Sequence, residues 1–219
     1  RTIAADLARD AAAIPAERSG TFRDSLRDPK IYALGLVLLL LVGATYVMVF
    51  WLPTLIKSWG VNDVFMVGIY AAIPNAVGVI GMVLIGRSSD KMRERRWHFG
   101  VCCLIAVVGL LAASVAEGNL VASILALCFA VIGIASATPL FFTLVSEYMP
   151  PSAAAGGIAL VSSLGNLGPA VTPSINGMIL QATGKNVFSL YFVISLYLLA
   201  GLLLVLIMRS APRGKSPRS

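Results

Sequence analysis

Apolar residues run almost unbroken through six stretches of this chain, roughly 31–56, 64–86, 99–116, 119–143, 153–181 and 187–208. A helix needs about 20 apolar residues to cross a bilayer, so each stretch is a candidate span. The polar residues gather in short connections, which make successive helices antiparallel neighbours. The pattern therefore predicts an all-α membrane protein of six transmembrane helices. Asp28 and Pro29 mark the start of the first helix, because Asp caps free backbone N–H groups and Pro suits a first turn.

The same pattern divides the chain. Residues 1–27 are polar and Ala-rich, contain Pro15 and Ser19-Gly20, and read as a linker with a short amphipathic helix at 2–13. Residues 28–208 form the membrane body, and residues 209–219 read as a disordered basic tail. The chain opens on Arg1 with no secretory-signal pattern, and reads as a piece of a longer protein.

Composition sharpens the class. Of 219 residues, 58% are hydrophobic and 12% charged, whereas soluble domains carry about 25% charged residues. The net charge of +7 is distributed by side. Fifteen of the seventeen Lys and Arg residues fall in the N-terminal stretch up to Lys30, in the connection GRSSDKMRERRWH (86–98) and in the tail. Lys57 and Lys185 alone fall on the other side. This asymmetry places both termini and the 86–98 connection in the cytoplasm. It also argues against nucleic-acid binding, since the basic residues form no single contiguous face.

Inside the spans ionisable side chains are absent near mid-membrane, so no proton-relay carboxylate is apparent. Neutral polar and aromatic groups are present instead: Thr45, Tyr46, Phe50 and Trp51 in the first span, Tyr70 and Asn75 beside Pro74 in the second, and Thr138, Phe141, Phe142 and Thr143 in the fourth. The fifth, GGIALVSSLGNLGPAVTPSING, combines Ser162, Ser163, Asn166, Thr172 and Asn176 with many Gly and Pro residues. Two readings stand for Asn75 and Asn166: an interhelical hydrogen bond, or contact with a transported molecule. The small residues imply close helix packing combined with a bendable, cavity-lining helix. Trp51, Trp59 and Trp97 sit near span ends, where indole rings favour the interface. Cys102, Cys103 and Cys128 lack metal-site spacing, and His98 has no second histidine, so neither a metal nor a cofactor is expected. No nucleophile–base set or paired carboxylate supports an enzyme.

The connection 86–98 carries a resemblance. Gly86, Asp90 four residues on and the basic cluster after it are similar to the signature loop between the second and third helices of each half of major facilitator superfamily transporters. Ser88 stands where that loop usually has Leu, and Arg93 where it usually has Gly. The strings ERRWH (94–98), FWLPTLIK (50–57) and AAAGGIALVSSLGNLGP (153–169) resemble the anion:cation symporter branch, which includes permeases for tartrate, phthalate, hydroxyphenylacetate and sugar acids. The resemblance spans residues 28–208 and implies the C-terminal half, helices 7–12, of a twelve-helix bundle.

What the resemblance implies is a secondary transporter of small organic anions by proton symport and alternating access, in the bacterial inner membrane. The bilayer and an N-terminal six-helix half would be its partners. Asn166 aligns with a substrate-binding polar residue, Phe142 with a cavity aromatic, and Tyr46, Phe50 and Asn75 follow from helix position. At the cytoplasmic face, Gly86, Asp90, Arg95 or Arg96, and Glu147 are expected to form a gating network. Two alternatives remain: a facilitator of drugs or neutral sugars, and a six-helix structural protein that dimerises through its Gly-rich spans.

Overall fold

A computed structural model describes residues 26–116, 118–149 and 153–208. The expected helix at 2–13 and the tail at 209–219 lie outside the described residues. Among the described residues seven helices follow in order: α1 (Pro29–Ser58), α2 (Val64–Met92), α3 (Arg95–Val115), α4 (Leu120–Tyr148), α5 (Ala154–Gly165), α6 (Leu167–Thr183) and α7 (Asn186–Ile207). α5 and α6 together make one span, so six helical stretches are long and apolar enough to cross a membrane. The chain is a multi-pass helical membrane protein.

The starts of the helices are written locally. Asp28 accepts from Lys30 N at 2.9 Å ahead of Pro29, Asp63 accepts from Phe65 N at 2.8 Å, and Asn119 accepts from Ala122 N at 3.1 Å. Each side chain satisfies one backbone donor that a helix start leaves free. The fifth span breaks at Asn166, one turn before Pro169. Proline lacks an N–H, and its ring crowds the carbonyl four residues back, here that of Gly165.

The helices outrun the apolar runs. α2 continues to Met92, α3 begins at Arg95 and α4 reaches Tyr148, so the connection after α2 shrinks to Arg93 and Glu94. Backbone hydrogen bonding propagates through polar residues as readily as apolar ones, and hydropathy marks only the greasy section. Arg93 makes the reversal with φ 50°, a left-handed conformation that glycine adopts without strain.

α1 packs along α5, α6 and α7, α4 packs along α2 and α3, and α3 packs along α7. Exchanging α1 with α4, α2 with α5–α6 and α3 with α7 maps this set of neighbours onto itself. An odd number of crossings separates the members of each exchanged pair, so the two three-helix units are inverted with respect to one another. Glycines set the closest approaches. A Cβ on Gly168 of α6 would strike the Leu39 carbonyl of α1, and one on Gly133 of α4 would strike the Cys102 carbonyl of α3. Trp51 departs from the interfacial expectation: it is 5% exposed within α1 and its indole N–H has no partner. α1 holds the middle of the bundle, and its neighbours bury this ring before it reaches an interface.

Candidate functional site

α1, α2 and α4 enclose a cavity of about 400 Å³. α1 contributes Thr45, Met48, Val49, Leu52 and Pro53, α2 contributes Ala71 and Asn75, and α4 contributes Val131, Ile134, Ala135 and Thr138. No charged side chain lines it. Its polar character comes from three neutral side chains and from the backbone.

The hydrogen bonds already formed determine what this wall can still offer. Thr45 Oγ1 donates to the Leu41 carbonyl at 2.9 Å and lies 2.9 Å from the Tyr197 hydroxyl of α7. A hydroxyl has one proton to give, so Tyr197 is the donor to Thr45, and Thr45 meets the cavity only as an acceptor. Asn75 Nδ2 donates to the Ala71 carbonyl at 2.8 Å, which leaves its Oδ1 and one N–H free. Prolines add backbone acceptors. Pro53 has no N–H for the Val49 carbonyl, and Pro139 has none for the Ala135 carbonyl. Val49 and Ala135 both line the cavity. The wall is therefore mostly apolar, with a few neutral donors and acceptors that can meet ligand hydroxyl groups.

Tyr46 and Phe50 continue the cavity-lining stripe of α1, with ring centroids 5.9 Å apart and both rings exposed. Asn75 lies in the cavity wall, whereas Asn166 and Phe142 are outside the residues that line it. Asn166 is exposed at the α5–α6 break and donates to the Ser162 carbonyl at 2.9 Å. Phe142 is half-buried, its ring edge-on to Phe141 at 5.6 Å, and Phe141 is fully buried beside Phe99.

A second cluster occupies the basic end of the bundle. Arg95 Nε lies 2.6 Å from Glu147 Oε1, and Arg95 Nη2 lies 3.2 Å from Asp90 Oδ1. One guanidinium at the start of α3 thus ties α2 to α4. Tyr148, the residue after Glu147, donates its hydroxyl to Asp28 Oδ2 at 2.6 Å, and Lys30 Nζ lies 5.7 Å from the centre of its ring. Consecutive helical residues point about 100° apart, so Glu147 and Tyr148 hold two different neighbours. Arg96 makes neither ion pair and lies over the Trp97 ring at 5.2 Å. Gly86 lies one turn before Asp90, and a Cβ there would meet nothing. Among the described residues, no three of His, Cys, Asp and Glu are arranged to hold a metal ion.

Sequence reasoning did not single out Tyr197, the two backbone acceptors or the Asp28–Tyr148 bond. Proline position was the available signal for the acceptors, since the freed carbonyl always lies four residues back. Nothing in a run of apolar residues distinguishes Tyr197 as the support of Thr45.

Comparison with known proteins adds the last observations. A family model described as Major Facilitator Superfamily matches residues 4–173 and, in a second match, 95–219. A Pseudomonas putida protein provisionally named metabolite transport protein NicT is 36% identical over 84% of this chain and 42% of its own length. An Agrobacterium vitis protein provisionally named tartrate transporter is 35% identical over 89% of this chain and 43% of its own. The quinolone resistance transporter of Acinetobacter baumannii is 32% identical over 92% of this chain and 46% of its own. The chain thus spans less than half the length of each of these relatives.

Proposed function

This chain belongs to the Major Facilitator Superfamily, and on that footing we propose that it forms part of a secondary transporter of small organic anions, with hydroxy acids and sugar acids as substrates. One observation carries the substrate class: the uncharged wall between α1, α2 and α4, with its few neutral hydrogen-bonding groups. Such a wall receives hydroxyl groups well but gives a carboxylate no counter-charge. The counter-cation and the group that couples transport to a proton then belong to a second six-helix half facing this cavity. The tartrate transporter named above supports the same substrate class.

In this reading Asn75 meets substrate directly, and Tyr46 and Phe50 flank its path. Asn166 sits where the fifth span bends, and Phe142 supports α4 behind the cavity. The basic end faces the cytoplasm of a bacterium, in its inner membrane, by the lysine and arginine asymmetry. Arg95, with Asp90 and Glu147, then forms a latch that holds the cytoplasmic side closed when the cavity opens outward. The similarity to a quinolone resistance transporter supports a second reading, drug transport. A ligand panel on the purified full-length protein separates them. Hydroxy acids should raise its unfolding midpoint, with neutral sugars and quinolones inactive; stabilisation by quinolones alone would favour the second reading.

A further inference from the structure

α3 and α7 enclose a groove of about 470 Å³, distinct from the α1–α2–α4 cavity. Its floor is small: a Cβ on Gly201 would lie 2.9 Å from Cys103 Cβ, and one on Gly100 would lie 3.2 Å from a Val205 methyl. The walls are the apolar side chains of Val101, Leu104, Leu198 and Leu202, each at least 45% exposed. Trp97 closes the end nearest the basic cluster and is 57% exposed. The groove follows the helices for about two turns, or about 12 Å.

Charge identifies its occupant. Arg96 lies against the Trp97 ring, makes no ion pair among the described residues, and has a buried Nε without a partner. Of the acids at this end, Asp90 and Glu147 are engaged by Arg95 and Glu94 forms no ion pair with Arg96, while Lys91 and Arg93 are exposed beside them. An apolar slot thus ends at an aromatic ring and at a cation that has no ion-pair partner among the described residues. We propose that this groove is a binding site for an anionic phospholipid, with one acyl chain between α3 and α7 and the phosphate against Arg96 and Trp97. A zwitterionic lipid would fill the same slot but would bring a compensating cation to Arg96, so the site discriminates by headgroup.

The test uses the full-length protein in detergent, titrated with phosphatidylglycerol or phosphatidylcholine carrying brominated chains, which quench nearby indoles. The Trp97 signal is the difference between the parent protein and Trp97→Phe. The expected result is quenching of this component by phosphatidylglycerol at about fivefold lower mole fraction than by phosphatidylcholine. Arg96→Gln should erase that preference and Arg96→Lys should keep it. Val101→Phe with Leu202→Phe fills the groove from its exposed rim and should reduce quenching by both lipids. Equal quenching by the two lipids in the parent protein would overturn the proposal, as would a preference that survives Arg96→Gln.

Discussion

Tyr197 donates its hydroxyl to Thr45 across 2.9 Å, so a residue wholly buried in α7 fixes the hydrogen-bonding character of a cavity wall on α1. Tyr197→Phe leaves Thr45 bonded to Leu41 and should lower stability by about 1 kcal/mol. Thr45→Val is worse, because it leaves a buried phenol with no acceptor, at a cost of about 1–3 kcal/mol. The double variant should lose less than the sum of the two, since the residues share one bond. Thermal unfolding of the four proteins measures this cycle, and strict additivity would show that the bond contributes nothing.

Arg95 holds Glu147 through Nε and Asp90 through Nη2, and the first contact is the shorter. Both carboxylates are more than half exposed, so each pair contributes at most about 0.2–1 kcal/mol. That suffices to shift a balanced two-state equilibrium by about 1.4- to 5-fold. Glu147→Gln should open the basic end more than Asp90→Asn does, read as distances between spin labels placed across that end. Unchanged distance distributions in both variants would sink the latch.

Arg93 completes the reversal between α2 and α3 at φ 50°. Arg93→Gly removes the steric cost of that conformation and should stabilise the protein by about 0.5–1 kcal/mol after its greater unfolded-state freedom is allowed for. Arg93→Val should destabilise it. The two unfolding midpoints should fall on opposite sides of the parent value.

Two glycines of α6 should respond with opposite sign. At Gly168 a new Cβ meets the backbone of α1, which cannot yield as a side chain can, and Gly168→Ala should cost about 1–3 kcal/mol. At Gly177 a Cβ meets open space. Gly177→Ala should therefore be neutral or stabilising by up to about 1 kcal/mol, the helix preference for alanine. Equal effects at the two positions would contradict the close contact between α1 and α6.

The number of spans was legible because a bilayer demands length and apolarity together, and the start of α1 was legible from Asp28 and Pro29. Which face of each helix packs was not. In α1, buried Leu34 and Leu38 and exposed Leu36 are chemically alike, because lipid and protein interior are equally apolar. Small residues such as Gly43, Gly133 and Gly168 carried that information, but a glycine names no partner. At the basic end, sequence supplied Asp90, two candidate arginines and Glu147, and only the fold selects Arg95. The cavity was least legible, since its acceptors depend on which carbonyls the prolines release and on Tyr197 in the apolar sixth span.

The most direct measurement is uptake of labelled tartrate by the full-length protein in proteoliposomes under an inward proton gradient. The account predicts gradient-driven accumulation that a protonophore abolishes, that other hydroxy acids compete away, and that Asn75→Leu lowers severalfold. Failure of every hydroxy acid to accumulate, while a neutral sugar or a quinolone is carried, would contradict it.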